Sequence, residues 1–550
     1  MRGFFGLAGT VLAFAWVAWA NPEQEIPVQH VLLPVPSACS AAADAPVRLP
    51  LQLRVYASDR DAAVVAEQLK VLNAQGVLTG LSLTRNPEEA DVLCTLTGTG
   101  PGEKEAYELR LERAGKTGGR GVLRLNAAFP QGLFYAWQST VQALEANRTE
   151  NGFCLPGFAV SDRPLYAWRG VMLDVSRHFF TVEEVKRMID AMSLFKLNRL
   201  HLHLTDGPGW RMEIKKYPRL TSVGAWRVPS AKGEWNWREI VLAAGERDPK
   251  ATYGGFYTQE QMREIVAHAQ SRQVTVVPEI DLPGHAYAAM HAYADLICDG
   301  VDFPVEGKRG NDTICLGRPE TMRFVRDVID ELKTVFPPGT PIHLGHDEVA
   351  MQAWKKCRYC RRKLEELNEV GCKVLQRDFL RRIAACVREG GYEAIVWDEG
   401  AELDADQSLF VMAWRGNDHA AAAAAKGHPV ILSPCSHLYF DYYQSASPKE
   451  PKAVGGLIPL KQVYGYRAPE LPPERRGEVR GLQANIWTEY LGDMESVEYM
   501  MWPRALALAE RAWSEGDPED YPSFLARSSL ALRLLEKLAV RYRPLDEPEE

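Results

Sequence analysis

Two features that would place this chain among nucleic-acid or membrane proteins are missing from its sequence. It contains no long basic run, and its 72 acidic residues outnumber its 64 basic ones, which gives a formal net charge of −8. This charge offers no electrostatic footprint for nucleic acid or for an anionic membrane surface. Beyond residue 20 the sequence also lacks the run of ~18 apolar residues that a membrane helix needs. We therefore expect no nucleic-acid partner and no stable membrane span in the mature chain.

The composition is that of an ordinary globular protein. Hydrophobic residues make up 46% of the 550 residues and charged residues 25%, which argues against disorder. A chain of this length is too long for a single core, so we expect two or three domains.

The first twenty residues predict a signal peptide. Arg2 gives a positive start, residues 4–17 form an apolar stretch too short to cross a bilayer comfortably, and Ala18-Trp19-Ala20 is a small-x-small cleavage site. An uncleaved anchor helix is the weaker alternative. We expect the mature chain to be exported to a periplasm, the extracellular space or a lumen.

Cysteines are few, ten in all, and in an exported chain they favour disulfides. Cys298 and Cys315 flank a polar loop and predict one such bond. A C-x2-C-x11-C pattern that begins at Cys357 resembles part of a metal site. It lacks a clear fourth ligand, although Cys386 or a histidine could serve. We favour disulfides or buried thiols over zinc, with the connectivity left open.

Residues 21–160 predict a small α/β domain after the leader. Alternating apolar residues and helical spacing predict strands at Val47–Tyr56, Tyr107–Leu111 and Val122–Leu125, and helices at Asp61–Leu72 and Gly132–Leu144. Ser161-Asp162-Arg163-Pro164 is interpreted as the hinge into a second domain, residues 161–515. Residues 516–550 are assigned to a C-terminal helix and an acidic tail.

The second domain predicts a (β/α)8 TIM barrel, because short apolar runs alternate with helical windows eight times over roughly 350 residues. The predicted strands are Gly170–Val175, Arg199–Leu204, Val274–Ile280, Ile342–Gly345, Ala394–Trp397, Leu409–Trp414, Pro429–Leu432 and Leu482–Trp487. A doubly wound open sheet is the alternative. It usually carries a glycine-rich phosphate loop after its first strand, and none is visible here.

Polar and aromatic residues cluster at the ends of these strands, where a catalytic barrel assembles its site. The sharpest cluster is the segment from His343 to Val349, which contains the adjacent carboxylates Asp347 and Glu348. Neighbouring side chains at a strand end point in different directions, so one can donate a proton while the other stays ionised. An Asp-Glu pair alone is weak evidence, because such pairs are common at helix N-termini.

Four motifs together resemble the family 20 glycoside hydrolases, the β-N-acetylhexosaminidases. They are Arg169-Gly170-x3-Asp174-x2-Arg177-His178, Asn198-Arg199-Leu200-His201-Leu202-His203-Leu204-x-Asp206, Pro278-Glu279-x-Asp281-x-Pro283-Gly284-His285 and His343-x-Gly345-x-Asp347-Glu348. They occur in the family's order and at similar spacing. The resemblance covers about residues 168–513 and extends weakly to the N-terminal domain.

This resemblance implies the release of a terminal, non-reducing β-linked N-acetylhexosamine from glycans by a substrate-assisted, retaining mechanism without cofactor or metal. The acetamido oxygen would attack its own anomeric carbon and form an oxazolinium ion. Asp347 would orient the acetamido N–H and face the positive charge. Glu348 would act as general acid and then as general base, a role that burial favours. Asp206 and His285 would hydrogen-bond toward the acid and tune it.

The resemblance also implies a set of sugar-binding residues. Arg177 matches a clamp on sugar hydroxyls, although a structural salt bridge to Asp174 is the alternative. The aromatic walls and remaining hydroxyl ligands would be Trp397, Trp414, Trp487, Tyr439, Asp441 and Glu489. A single tryptophan at a strand end is more often core, and Glu489 alone could be an exposed carboxylate at a helix start.

The sequence departs from the family pattern at two positions. His346 replaces a glycine, and Gly207 replaces a residue that is usually acidic or polar. We expect the His346 imidazole to lie beside the carboxylate pair, to narrow the sugar subsite and to affect the titration of the pair. The competing interpretation makes His346 a buried packing residue whose removal would leave a cavity.

Two rival functions stay open at this point. A metal-dependent hydrolase would use His201 and His203 with His343 and His346 as ligands. A non-catalytic glycan-binding homologue would result if His346 disabled the site. The choice between GlcNAc and GalNAc, the aglycone and the oligomeric state are not determined by the sequence.

Overall fold

The computed structural model describes residues 25–41, 45–98, 104–114, 120–230, 240–301, 312–404, 406–516 and 520–545. The predicted signal peptide, residues 1–20, and the acidic end of the tail, residues 546–550, lie outside the described residues. Among the helices of the described segments, none is long and apolar enough to span a bilayer.

The N-terminal domain is a mixed sheet on which two helices pack. Its strands are β1 (Ala38–Ala41), β2 (Val47–Leu49), β3 (Leu53–Ala57), β4 (Leu81–Leu83), β5 (Val92–Leu96), β6 (Tyr107–Arg113), β7 (Gly121–Ala127), β8 (Arg148–Thr149), β9 (Gly152–Leu155) and β10 (Phe158–Asp162), and its helices are α1 (Ala62–Gln75) and α2 (Pro130–Ala146). The main sheet has the order β1-β10-β6-β7-β5-β3-β4, and β2-β9-β8 form a smaller sheet.

The prediction of a single strand over Val47–Tyr56 was wrong, because the structure divides this segment into β2 and β3. Strand β2 pairs with β9, whereas β3 pairs with β4 and β5 in the other sheet. Pro50, which lies between the two strands, has no backbone N–H to donate to a continuous ladder.

The predicted hinge is a buried junction between the two domains. Asp162 ends β10, and its Oδ2 accepts hydrogen bonds from the Tyr107 hydroxyl at 2.6 Å and from Lys196 Nζ at 3.0 Å. Its Oδ1 accepts a hydrogen bond from the indole of Trp513 at 2.9 Å. Lys196 and Trp513 belong to the second domain, so a buried ion pair joins the domains at this point.

The second domain is a closed barrel of eight parallel strands, which confirms the predicted (β/α)8 fold and all eight strand positions. Strands β11 (Trp168–Asp174), β12 (Arg199–His203), β17 (Thr275–Glu279), β18 (Pro341–His343), β19 (Glu393–Trp397), β20 (Phe410–Ala413), β21 (Val430–Leu432) and β22 (Val479–Ile486) follow one another around the barrel. Strand β22 pairs with β11 and closes it. Two short hairpins lie in the loops, formed by β13 (Thr205–Asp206) with β14 (Gly209–Trp210) and by β15 (Trp226–Arg227) with β16 (Tyr253–Gly254).

Helices connect the strands and cover the barrel. They are α3 (Val182–Leu194), α4 (Arg219–Ser222), α5 (Gln259–Ser271), α6 (Tyr287–Ala292), α7 (Pro319–Lys333), α8 (Gln352–Lys356), α9 (Arg358–Leu367), α10 (Cys372–Arg388), α11 (Asp398–Ala401), α12 (Asn417–Ala425), α13 (Leu460–Tyr464), α14 (Met494–Met501), α15 (Arg504–Trp513) and α16 (Tyr521–Lys537). Capping boxes begin α3, with Thr181 and Glu184, and α5, with Thr258 and Gln261. Each cap is worth about 1 kcal/mol.

The disulfide expected between Cys298 and Cys315 is contradicted. All ten cysteines lie in the described segments, and none of them forms a disulfide. Cys298 and Cys315 instead meet two further cysteines, so their sulfurs have several neighbours rather than one bonded partner.

Candidate active site

The paired carboxylates lie just beyond the end of the fourth barrel strand, as the motif predicted. Strand β18 ends at His343, and the chain then turns at Gly345, where φ is 70°. A side chain at Gly345 would place its Cβ 1.7 Å from Asp281 Oδ1. Glycine is required here because the Asp281 carboxyl packs directly against the backbone.

Asp347 is a buried carboxyl group at the mouth of the barrel. Its side chain is 13% exposed, and its Oδ1 has no hydrogen-bond partner. Burial raises the pKa of Asp347 to about 6; the charge of Glu399 adds to this effect and that of His285 opposes it. The group is therefore ionised at neutral pH and protonated in mild acid.

Glu348 does not have the burial expected of a general acid. Its side chain is 61% exposed, and its Oε2 lies 3.7 Å from His285 Nε2. Its backbone is left-handed, with φ of 47°, and His285 and His346 at the same mouth have φ of 51° and 82°. Such conformations cost energy in non-glycine residues and tend to concentrate at functional sites. The expectation of burial was wrong, because the left-handed backbone at Glu348 directs its side chain out of the mouth.

A chain of charged groups connects the carboxylate pair to the barrel interior. His285 Nε2 lies 3.6 Å from Asp347 Oδ2, and its Nδ1 lies 3.4 Å from Asp206 Oδ2. Asp206 Oδ2 in turn lies 3.2 Å from His203 Nε2. Burial opposes charge on His285, but Asp206, Asp347 and Asp281 raise its pKa well above the usual range. Asp206 and His285 therefore lie together beside the carboxylates, as ion pairs rather than as the hydrogen bonds that were predicted.

Glu279 ends this chain and has a role that the sequence did not suggest. It is fully buried, and its carboxylate accepts hydrogen bonds from His203 Nδ1 at 2.5 Å and from Trp397 Nε1 at 2.9 Å. Burial opposes its ionisation, but the charges of His343, His203 and His201 hold its pKa well below the usual range. Its position at the end of β17, in a motif already quoted, was the one available signal.

The histidines of the metal hypothesis do not form the expected set. His201 Nε2 and His343 Nδ1 each lie 3.0 Å from the Glu279 carboxylate, and His203 donates to it. His346 lies apart from them, stacked on Phe379 of α10 at a ring distance of 5.9 Å. Three of the four histidines therefore converge on a carboxylate, and the fourth faces a helix.

Arg177 makes the salt bridge that was the alternative to a sugar clamp, and its position at the mouth leaves the clamp a prediction. Its guanidinium lies 3.1 Å from Asp174 Oδ2 and 2.7 Å from Asp206 Oδ2, and Glu489 Oε1 lies 3.7 Å away. It also lies 4.9 Å from the ring centre of Trp487. The salt bridge to Asp174 is thus present, and it holds the guanidinium at the mouth beside an aromatic face.

The predicted aromatic residues converge on the same mouth. Trp397 is 1% exposed and lies at the bottom of the barrel mouth, and its ring centre is 6.1 Å from that of Trp487. Tyr439 lies 6.2 Å from Trp414, stacked, and 6.4 Å from Trp487. Trp414 donates its indole N–H to Glu399 at 3.0 Å. Together these rings form a continuous aromatic wall.

Two further carboxyl groups face the mouth with oxygens that lack partners. Asp441 Oδ1 and Glu489 Oε2 are buried and make no hydrogen bond. Burial and the neighbouring charge of Glu489 raise the pKa of Asp441 well above its usual range, and burial raises that of Glu489 although Arg177 opposes it. Leaving a buried polar atom unpaired costs about 1–3 kcal/mol. Together with Asp347 Oδ1, these atoms indicate a site for a ligand rich in hydroxyl or amide groups.

His346 contradicts the expectation that its imidazole lies beside the carboxylates. It is fully buried against Phe379, and its Nδ1 lies 3.2 Å from the Leu344 carbonyl oxygen. Burial lowers the pKa of His346 to about 4, so the ring is neutral. It is a packing residue that occupies a left-handed position usually given to glycine.

We expect His346→Gly to lower the free energy of unfolding by about 1–3 kcal/mol, because the cavity costs more than the relief of left-handed strain returns. An unfolded histidine titrates near 6.5, so in wild type the stability due to the neutral ring is lost as pH falls from about 6.5 to 4. The melting temperatures should therefore differ less at about pH 5 than at about pH 7. Asn368→Gly, at an exposed position with φ of 51°, is the matched control and should not destabilise. An unchanged melting temperature for His346→Gly would contradict this assignment.

Comparisons with known proteins agree with this geometry. The model of the glycosyl hydrolase family 20 catalytic domain matches residues 166–516, and that of the family's domain 2 matches residues 29–163. A β-hexosaminidase of Porphyromonas gingivalis is 39% identical over 462 residues, which cover 81% of this chain and 56% of that protein. The chain thus matches little more than half the length of this relative.

Two solved structures resemble the chain over most of its length. An exo-β-N-acetylglucosaminidase of Vibrio harveyi in complex with N-acetylglucosamine is 29% identical, with a TM-score of 0.82, 95% of this chain covered and 80% of that chain. An N-acetyl-β-hexosaminidase of Streptomyces plicatus is also 29% identical, with a TM-score of 0.77 and coverage of 96% and 99%. The matches span both domains and the barrel mouth, and the chain belongs to glycosyl hydrolase family 20.

Proposed function

We propose that this chain is an exo-acting β-N-acetylhexosaminidase that releases terminal N-acetylhexosamine from glycans through an oxazolinium intermediate. One observation carries the proposal most strongly. Asp347 and Glu348 lie beside His285 at a strand end, under an aromatic wall, with unpartnered carboxyl oxygens across the mouth. A sugar that carries both hydroxyl groups and an amide would satisfy these oxygens.

The first step of the proposed reaction forms the intermediate and breaks the glycosidic bond. The acetamido oxygen attacks the anomeric carbon while Glu348 gives its proton to the departing glycosidic oxygen. Asp347 Oδ1 accepts the acetamido N–H, and its negative charge faces the positive ring that forms. The exposed position of Glu348 suits a group that must reach an oxygen between the sugar and its aglycone.

The second step returns the site to its starting state. Glu348, now ionised, takes a proton from water, and the water oxygen attacks the anomeric carbon from the face that the leaving group left. The oxazolinium ring opens and the configuration is retained. Cationic His285, held between Asp206 and Asp347, keeps the negative charge of Asp347 in place throughout.

The other residues of the mouth are assigned to binding. Arg177, Asp441 and Glu489 would bind ring hydroxyls, and Trp487 would stack on the sugar. The Tyr439 ring lies 6.4 Å from that of Trp487, and its hydroxyl would steady the acetamido oxygen. The enclosed end formed by Trp397 favours action on a chain terminus rather than within a chain. Residues 1–20 support export as the proposed localisation.

A chitin oligosaccharide labelled at its reducing end tests the exo action. We expect the purified chain to release unlabelled N-acetylglucosamine one unit at a time, and a thiazoline mimic of the intermediate to inhibit competitively. Release of labelled disaccharides at early times would contradict exo action. Inhibitor binding without any turnover would favour the glycan-binding alternative.

A further inference from the structure

Four cysteine side chains meet beneath the loops that follow the third and fourth barrel strands. Cys298 follows a 3-10 turn at Ala294–Leu296, and Cys315 precedes α7. Cys357 lies between α8 and α9, and Cys360 is in the first turn of α9. All four are buried, at 3% exposure or less, and their Sγ atoms all lie within 4.8 Å of one another.

The distances between these sulfurs fit one metal ion and do not fit disulfides. The Sγ atoms of Cys298 and Cys360 are 3.8 Å apart, those of Cys315 and Cys357 3.7 Å, and those of Cys315 and Cys360 3.6 Å. A disulfide requires about 2.05 Å. A tetrahedron with Zn–S bonds of about 2.3 Å has edges of about 3.8 Å. These three distances match the edges of such a tetrahedron, and the remaining pairs of sulfurs lie within 4.8 Å of one another.

The backbone around the sulfurs is arranged to support thiolates. The Asp299 N–H donates to Cys357 Sγ at 3.3 Å, and the Gly317 N–H donates to Cys315. A Cβ at Gly317 would lie 2.2 Å from the Tyr359 carbonyl carbon and 2.3 Å from the Cys360 nitrogen. Only glycine permits this approach, which packs one pair of cysteines against the other.

Positive side chains lie next to the group. The guanidinium groups of Arg318 and Arg358 lie 4.4 and 4.8 Å from the ring centre of Tyr359, the residue before Cys360. A zinc ion with four thiolates carries a net charge of −2, which Arg318 would partly offset, whereas Arg358 already pairs with Asp299 Oδ2 at 3.1 Å. Four neutral thiols would require no such charge.

We propose that Cys298, Cys315, Cys357 and Cys360 bind one structural Zn²⁺ ion. Four thiolates complete the tetrahedral coordination of zinc, which leaves no open position for a substrate or water. A [4Fe–4S] cluster would place each cysteine on a different iron, and a [2Fe–2S] cluster would divide the four cysteines between two irons. Either cluster would hold some of the sulfurs farther apart than a single ion does. Cys372 and Cys386, considered as ligands from the sequence, belong to α10 and lie outside the group.

The ion would hold together the two loops that carry the catalytic residues. The Ile314 N–H donates to the Pro283 carbonyl at 2.9 Å, two residues before His285. The indole of Trp354, six residues after Glu348, donates to the Ile314 carbonyl at 2.9 Å. Zinc would therefore position His285 relative to Asp347 and Glu348 without touching the substrate.

Metal analysis of the purified full-length chain tests the proposal independently of any activity. We expect about one zinc per chain by mass spectrometry and no accessible thiol at the four positions until an organomercurial releases the ion. Exchange for Co²⁺ should produce the intense visible absorption of a tetrahedral cobalt thiolate. A metal-free chain with a Cys298–Cys315 disulfide on peptide mapping would overturn the proposal, as would iron in place of zinc.

A pair of variants separates the site from general effects of cysteine removal. In Cys360→Ser the zinc-to-protein ratio should fall from about one to near zero, and the melting temperature should drop by several degrees. Cys386→Ser, a buried thiol at 2% exposure outside the group, should keep its zinc. Full zinc content in Cys360→Ser would overturn the ligand assignment. If Cys360→Ser does not fold, the wild-type zinc content and the cobalt spectrum decide the question.

Discussion

Replacing Glu348 by glutamine should slow hydrolysis by ~10²–10⁴-fold for substrates with poor leaving groups, because such groups need a proton as they depart. An activated aryl glycoside, whose phenolate leaves without help, should lose much less in its first step. The measurement is a plot of log kcat/KM against leaving-group pKa for wild type and Glu348→Gln. The variant should show the steeper dependence.

The control for this series is Glu495→Gln, an exposed carboxylate on α14 away from the mouth. It should reproduce the wild-type plot. Equal losses for Glu348→Gln across all leaving groups would mean that Glu348 is not the proton donor.

Replacing Asp347 by asparagine should slow the hydrolysis of all substrates, including activated ones. The charge of the Asp347 carboxylate stabilises the transition state of ring closure, which every substrate passes through, and not the leaving group. Loss of one such electrostatic contact is worth ~10²–10³-fold in kcat. Wild-type kcat/KM should fall tenfold per pH unit below about pH 6, since burial places the pKa of Asp347 there and the protonated group carries no charge. The acidic limb should be lost in Asp347→Asn.

Asp441→Asn is the comparison variant for this prediction. Asp441 is assigned to a sugar hydroxyl and not to the positive charge that forms on the ring, so its replacement tests binding rather than charge stabilisation. Its KM should rise more than its kcat falls. An acidic limb that survives in Asp347→Asn would assign the titration near pH 6 to another group, such as Glu399.

The sequence predicted the barrel well because the apolar runs that mark its strands are each followed directly by the polar residues of the site. Each buried parallel strand is a short apolar run, and the polar residues that follow it are placed at one mouth by topology alone. Asp347 and Glu348 were found in this way, whereas Asp206 and His285 were singled out by the resemblance to family 20. The structure brings all four together.

The features that the sequence did not predict depend on the direction in which a side chain points and on its contacts with other segments. His346 stands next to Asp347 in the chain, but a left-handed backbone and a partner on α10 turn its ring away. No local sequence pattern predicts that Phe379 is the residue against which His346 packs. The exposure of Glu348 depends in the same way on how the loop leaves β18.

The cysteine group illustrates the same limit. Cys357 and Cys360 form a recognisable C-x2-C pair, but their partners come from the preceding loop, with sixteen residues between Cys298 and Cys315. Loops after consecutive barrel strands are neighbours, so the pairing could have been inferred once the eight strands were placed. Reading the spacing without the topology favoured Cys372 as the third ligand instead.

The most direct test of the account compares aryl β-glycosides that share one leaving group and differ at the 2-position. The account predicts turnover of the GlcNAc or GalNAc glycoside, or of both, and hydrolysis of the unsubstituted glucoside slower by at least ~10³-fold, since the glucoside lacks the intramolecular nucleophile. Comparable rates on the GlcNAc glycoside and the glucoside would contradict the assignment of Asp347 to an acetamido group and the substrate-assisted mechanism with it.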